Sequence, residues 1–308
     1  MPTTPVHSSQ FIRLLDERLR EVAENKYADL PKYRDMFYRM LPSDSAFEEF
    51  YEVGSLQDIP EFNGKVTYLG VAPGYHVQIE HKEFSAGTAI ERKLIDDKKY
   101  NVMDDRAAGL MESADRTMDK YAVNIFNGAF SAAFDFMTTE EGLALCSNSH
   151  TTKAGTSTSS GFDNLATGAL NKTNLAAARL QMRLFRNDIS ERINVGDDLA
   201  LVVPDALADT AYEIVGTPNG LYTAELTKNM HYQRYEVIPC LRLDDDDTNN
   251  WFLVWKSQMK KDLVWSDRIK PEITTHIDKE TFNVKTIVYF RFSYGRLGWR
   301  WILGSQVS

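Results

Sequence analysis

Apolar residues recur at steps of three and four from Met103 through Ala107, Leu110, Met111, Ala114, Met118, Ala122, Ile125, Phe126, Ala129, Ala133 and Phe134 to Met137. Asp104, Asp105, Glu112, Asp115, Arg116, Asp119 and Lys120 fill the opposite face. The spacing predicts one amphipathic helix over 102–137. At a rise of 1.5 Å per residue such a helix is about 50 Å long, several times the globular mean. Gly109 and Gly128 weaken it by about 1 kcal/mol each and permit a bend. A stripe rich in alanine and aromatic residues keeps no strict heptad, so the helix is expected to pack on a sheet and not in a coiled coil.

The period is two after Lys65. Val66 and Tyr68 alternate with Thr67 and Leu69, residues 72–74 (APG) supply turn chemistry, and Tyr75, Val77 and Ile79 alternate with His76, Gln78 and Glu80. This pattern predicts a β-hairpin over 65–80. A two-stranded ribbon is marginal alone in water, so it needs a surface, either its own molecule or a partner chain. Upstream, 9–23 reads as an amphipathic helix, 31–40 as a second short helix and 45–51 as an aromatic patch. These pieces are too short to make a domain and read as an arm that docks elsewhere.

The segment 147–161 (SNSHTTKAGTSTSSG) has no periodicity and is a loop at a substructure boundary. Beyond it, 173–189 reads as a helix, 198–203 as a strand and 205–215 as a helix stopped by Gly216. Strands follow at 235–243 and 251–257, joined by an acidic turn, and then at 272–277, 282–292 and 298–303. The class is α+β.

Composition narrows the function. The chain has 308 residues, of which 43% are hydrophobic and 26% charged, as in a folded soluble protein, with material for about two substructures. A formal net charge of -9 and the lack of a basic cluster argue against tight binding to nucleic acid. No apolar run reaches the about 18 residues of a membrane span, and residues 1–10 lack a secretory-signal pattern. Cys146 and Cys240 are the two cysteines and read as reduced thiols.

Candidate chemistry is sparse. Asp244, Asp245, Asp246 and Asp247 lack the spaced ligands of a calcium loop and read as a solvated turn. His76 and His81, five apart on a strand, point to opposite faces and share no metal. Cys146 and His150 are close in sequence but lie outside a nucleophile elbow, leaving a hydrolase as a minor alternative. Acid pairs such as Asp96–Asp97 and Asp104–Asp105 suit helix N-termini. The surfaces dominate: an arm, a projecting hairpin, an overlong helix and extended strands.

The order of these elements resembles the major capsid proteins of tailed bacteriophages, the shell fold named after phage Hong Kong ninety-seven. Residues 84–90 (FSAGTAI) and 94–97 (LIDD) look like the return from that family's extended loop to its spine helix. Residues 198–215 resemble its axial-domain strand and helix, and 269–274 (IKPEIT), 282–295 (FNVKTIVYFRFSYG) and 297–301 (LGWRW) are similar to closing strands that include those of Mu-like head subunits. The resemblance implies an N-terminal arm at 1–51, an extended loop at 52–94, a peripheral domain at 95–163 and 271–308, and an axial domain at 164–270. It implies hexamers and pentamers closed into an icosahedral shell around double-stranded DNA, without a cofactor, a membrane or enzymatic activity. A separate scaffolding protein, a portal and a decoration protein are the further partners it brings. The location is the virion, after synthesis in a bacterial cytoplasm, and an encapsulin-like nanocompartment shell is the alternative. Lys65, Tyr68, Tyr75, Val77 and Ile79 of the loop, with Glu112, Asp115 and Asp119 of the helix, are the candidate assembly residues. On this reading the helix opens its charged face, including Asp105, to a neighbour or to the shell lumen.

Overall fold

A computed structural model describes residues 18, 20–22, 32–91, 93, 97, 100–218, 229–278, 280, 281 and 283–307. The helix expected at 9–23 lies outside the described residues except at 18 and 20–22, which are helical, and the 94–96 part of the LIDD motif also lies outside them.

The chain starts with α1 (Tyr33–Phe37), β1 (Arg39–Leu41) and β2 (Phe47–Val53), then β3 (Pro73–Glu80) and β4 (Lys82–Ile90). The spine helix α2 (Tyr100–Asn127) leads to β5 (Met137–Thr139), β6 (Leu165–Ala166), α3 (Lys172–Met182) and β7 (Leu199–Val203). After α4 (Ala208–Gly216) come β8 (Glu236–Pro239), β9 (Trp251–Trp255), α5 (Lys256–Asp262), β10 (Leu263–Ile277), β11 (Val284–Arg296) and β12 (Ile302–Ser305).

Three sheets result. The first has the order β1-β10-β11-β4, dominated by the long antiparallel pair β10 and β11. The second, β2-β3-β5, is antiparallel, and the third, mixed, runs β6-β12-β9-β7-β8. β3 and β4 are nearly continuous in sequence but belong to different sheets, so the chain changes sheets at His81.

The spine helix has 28 residues, about 42 Å of rise. Met103, Ala107, Met111, Ala114, Met118 and Ala122 are buried at the spacing that predicted it. Aromatic rings pave its seat: Tyr121 lies 5.4 Å from Phe84 and 5.2 Å from Phe136, and Phe126 lies 5.4 Å from Phe252. One contiguous apolar core therefore joins the first sheet, the helix and the third sheet. The helix ends at Asn127, short of the expected end at Met137, which instead opens β5. Gly128 is the stop and not a bend: its N–H donates to Asn124 O at 2.8 Å, and Ala129 N–H turns tighter, to Phe126 O at 3.0 Å.

Four further expectations need correction. The hairpin over 65–80 does not form: residues 65–72 carry no strand, and β3 takes β2 as its partner, with Phe50 opposite Val77. The helix expected over 31–40 stops at Phe37, and β1 follows, parallel to the start of β10. The helix expected over 173–189 stops at Met182, before a bend in which Ser190 has φ of 66°. The strands expected at 235–243 and 251–257 are not neighbours, because β7 lies between β8 and β9, and the segment after β9 forms α5, which the pattern missed. In α5 a single side chain, Met259, is buried, too little to show a period.

Candidate assembly surfaces

The 19 residues from Gly54 to Ala72 leave the second sheet between β2 and β3. The two ends of this loop pass so closely that a Cβ on Gly54 would lie 2.1 Å from Ala72 O. Ser55 N–H donates to both carboxylate oxygens of buried Asp188 at 3.0 Å, which ties the exit of the loop to the body. Beyond that tie, Leu56, Ile59, Phe62, Val66 and Tyr68 are exposed, with Ile59 at 90% and Tyr68 at 93%. Such a set of apolar side chains left in water marks an interaction surface. Lys65, also exposed, follows Gly64, whose φ is 98°.

The base of the loop is clamped by polar contacts. His76 Nδ1 lies 2.9 Å from Glu140 Oε2, and Lys153 Nζ donates to Glu140 Oε1 at 2.6 Å. These contacts, Lys153 first, hold the Glu140 carboxyl down at about 2. Tyr75 Oη and Thr151 Oγ1 are 2.8 Å apart, and Arg300 Nη1 donates to Glu52 Oε1 at 3.3 Å.

The candidate residues therefore divide. Lys65 and Tyr68 are exposed on the loop, Tyr75 is half-buried at its base, and Glu112 and Asp105 are exposed on the spine helix. Val77 and Ile79 are buried in their own chain, where Ile79 packs on Gly295, so they offer nothing to a neighbour. Asp115 and Asp119 are also buried, which corrects the expectation of an open charged face. The reason is α1, which lies across them: Tyr33 N–H donates to Asp119 Oδ1 at 3.2 Å and Arg34 Nη1 approaches Met118 Sδ at 2.9 Å. Burial raises both carboxyls, and the neighbouring Asp115 helps push Asp119 to about 6. Leu56, Ile59 and Phe62 escaped the sequence reading, although three large apolar residues around Pro60 between Gly54 and Gly64 were a legible signal.

Other candidates have structural roles. Asp244 accepts hydrogen bonds from the backbone N–H groups of Asp205 and Ala206 at 2.8 and 3.3 Å. Cys146 is buried, which pushes its thiol to about 12. The His150 nitrogens are engaged by Glu141, Leu145 O and Asn164. His81 is buried beside Ser43, with Nε2 2.7 Å from its Oγ. Among the described residues no group of His, Cys, Asp and Glu could hold a metal, and no helix is long and apolar enough to cross a membrane.

A spine helix on a long β-hairpin, a separate mixed sheet and a projecting loop together make the shell fold of phage capsids. The chain belongs to the phage capsid protein family, whose pattern, described as Phage capsid protein, matches residues 77–303. Its fold is that of phage capsid proteins. No curated protein sequence matches it. Among solved structures it is similar to a chain of Mycobacterium phage Patience, with 10% identity, a TM-score of 0.58 and coverage of 100% of this chain and 94% of that one. It is similar to a chain of the procapsid of bacteriophage JBD30, at 14% identity and a TM-score of 0.53, covering 98% and 76%. A virus-like particle from Pyrococcus furiosus shares the fold at 10% identity and a TM-score of 0.52, covering 94% and 99%.

Proposed function

We propose that this chain assembles as hexamers and pentamers into an icosahedral shell that encloses the double-stranded DNA of a tailed phage. The observation that carries the reading is the loop at 54–72, whose apolar side chains stand in water on a single chain. Repeated contacts between copies bury such a surface, and heterologous contacts that close make a shell. The parts follow the family order: an arm at 1–51, an extended loop at 52–94, a peripheral domain at 95–163 and 271–308, and an axial domain at 164–270. A separate scaffolding protein, a portal and a decoration protein are the partners of this reading, and the bacterial cytoplasm is the place of assembly. With a net charge of -9 the shell contains DNA without reading its sequence. Electron microscopy of the purified chain, with and without a scaffold, tests this. Closed particles of megadalton mass are expected, and a chain that stays monomeric at high concentration overturns the reading.

A further inference from the structure

Asp115 and Asp119 stand one turn apart on the spine helix, and both are buried where residues 32–38 cross it. Tyr33 N–H reaches Asp119 Oδ1, while Asp115 Oδ1 is buried without a hydrogen-bond partner among the described residues. The charged groups facing the pair are Lys32, Arg34 and Asp35 from the crossing segment and Arg242 from the turn after β8. The Tyr33 phenol and the Cys240 thiol lie beside them. Phe37, fully buried, and Tyr38, whose hydroxyl donates to Ala122 O at 2.9 Å, anchor the segment independently of these charges.

We propose that this seat is a proton-sensitive latch: residues 32–38 sit tightly on the spine helix when the Asp115–Asp119 pair holds a proton and loosen when both carboxylates are ionised. Two acids in one poorly solvated site repel when both are charged, and the apolar anchors keep the loosened segment from leaving altogether. The sign follows from linkage. An aspartate uncovered by release of the segment titrates near about 3.9, whereas seated Asp119 is raised to about 6. The extra stability of the seat is therefore fully present below about pH 4 and is lost as pH rises through about 6. Its use, letting the N-terminal segment change its seat while subunits pack, rests on the proposed shell function; the latch itself does not.

Hydrogen exchange of the unassembled full chain at pH 5 and pH 7.5, corrected for intrinsic rates, tests the latch. Protection of the amides at 33–38 should fall by about threefold to tenfold at the higher pH, the upper figure following from the full shift and the lower from solvent screening. Amides of β7 and β9 should not follow it. Asp119→Asn should remove the pH dependence and keep protection at pH 7.5 near the wild-type value at pH 5. Equal protection at both pH values in the wild type, or an unchanged pH dependence in Asp119→Asn, overturns the proposal. Should that variant not fold, the wild-type series decides alone. A chain that shows the shift but never forms particles keeps the latch and loses the shell; particles with flat exchange do the reverse.

Discussion

The imidazole of His150 lies flat on the indole of Trp299, with ring centroids 4.2 Å apart and planes 3° from parallel. Its Nδ1 is 3.0 Å from Glu141 Oε1, and its Nε2 is 3.1 Å from Asn164 Oδ1. The Asn164 amide nitrogen in turn donates to Leu145 O at 2.8 Å and Ile302 O at 3.2 Å. The irregular segment between β5 and β6 is thereby fastened to β12. His150→Ala leaves buried polar partners unmatched and a void beside the indole, and should destabilise the chain by about 2–4 kcal/mol. His76→Ala, at a contact with Glu140 that is open to water, should leave the unfolding midpoint nearly unchanged. Urea unfolding of the unassembled chain measures both.

Asp262 closes α5, where the Gln258 amide donates to both of its oxygens at 3.1 and 3.2 Å. Burial outweighs those bonds and raises the carboxyl to about 6. Its folded value lies above the unfolded one, so its contribution is complete below about pH 4 and lost as pH rises through about 6. Asp262→Asn should raise stability at pH 7.5 by about 1 kcal/mol and leave it unchanged at pH 4. Thermal melts across that range check the slope.

The spine helix was legible because Met103, Ala107, Met111, Ala114, Met118 and Ala122 are all buried along one stripe, the first two against Ile90 and Val284 and the rest in the main core. Its end was not, since Ala129, Ala133 and Phe134 keep the helical spacing after Gly128 has stopped the helix. Burial of Asp115 and Asp119 was hidden for another reason: Tyr33 of the covering segment is 86 residues from Asp119 in sequence, and periodicity reports only one element at a time. The alternation at 66–71 misled because a period of two normally marks a strand with one buried face, whereas Val66 and Tyr68 are both exposed. Lys65 and Tyr68 were placed in the projecting loop, but with the wrong local structure.

Gly161 and Gly142 both have positive φ, 79° and 68°, but their surroundings differ. A Cβ on Gly161 would lie 2.2 Å from Leu184 O, while one on Gly142 meets nothing within 4 Å. Gly142→Ala should cost about 1–2 kcal/mol from the backbone alone. Gly161→Ala adds a clash with backbone and should cost clearly more, read from the shift in urea midpoint at constant slope.

The loop and the core make opposite demands on apolar residues, which separates assembly from folding. Ile59 and Tyr68 touch water in the single chain, so replacing both by serine removes no buried contact and should change stability by no more than about 0.5 kcal/mol. If the loop is the surface that copies share, the same double substitution should abolish particles, because several apolar side chains per copy are repeated at every contact in a closed shell. Val77→Ala, inside the second sheet, should do the reverse: it costs the chain about 1–3 kcal/mol, and whatever folds should still assemble. Sedimentation velocity paired with urea unfolding distinguishes the two. Particles of normal size from the serine variant would remove the loop from the assembly surface while leaving the fold untouched.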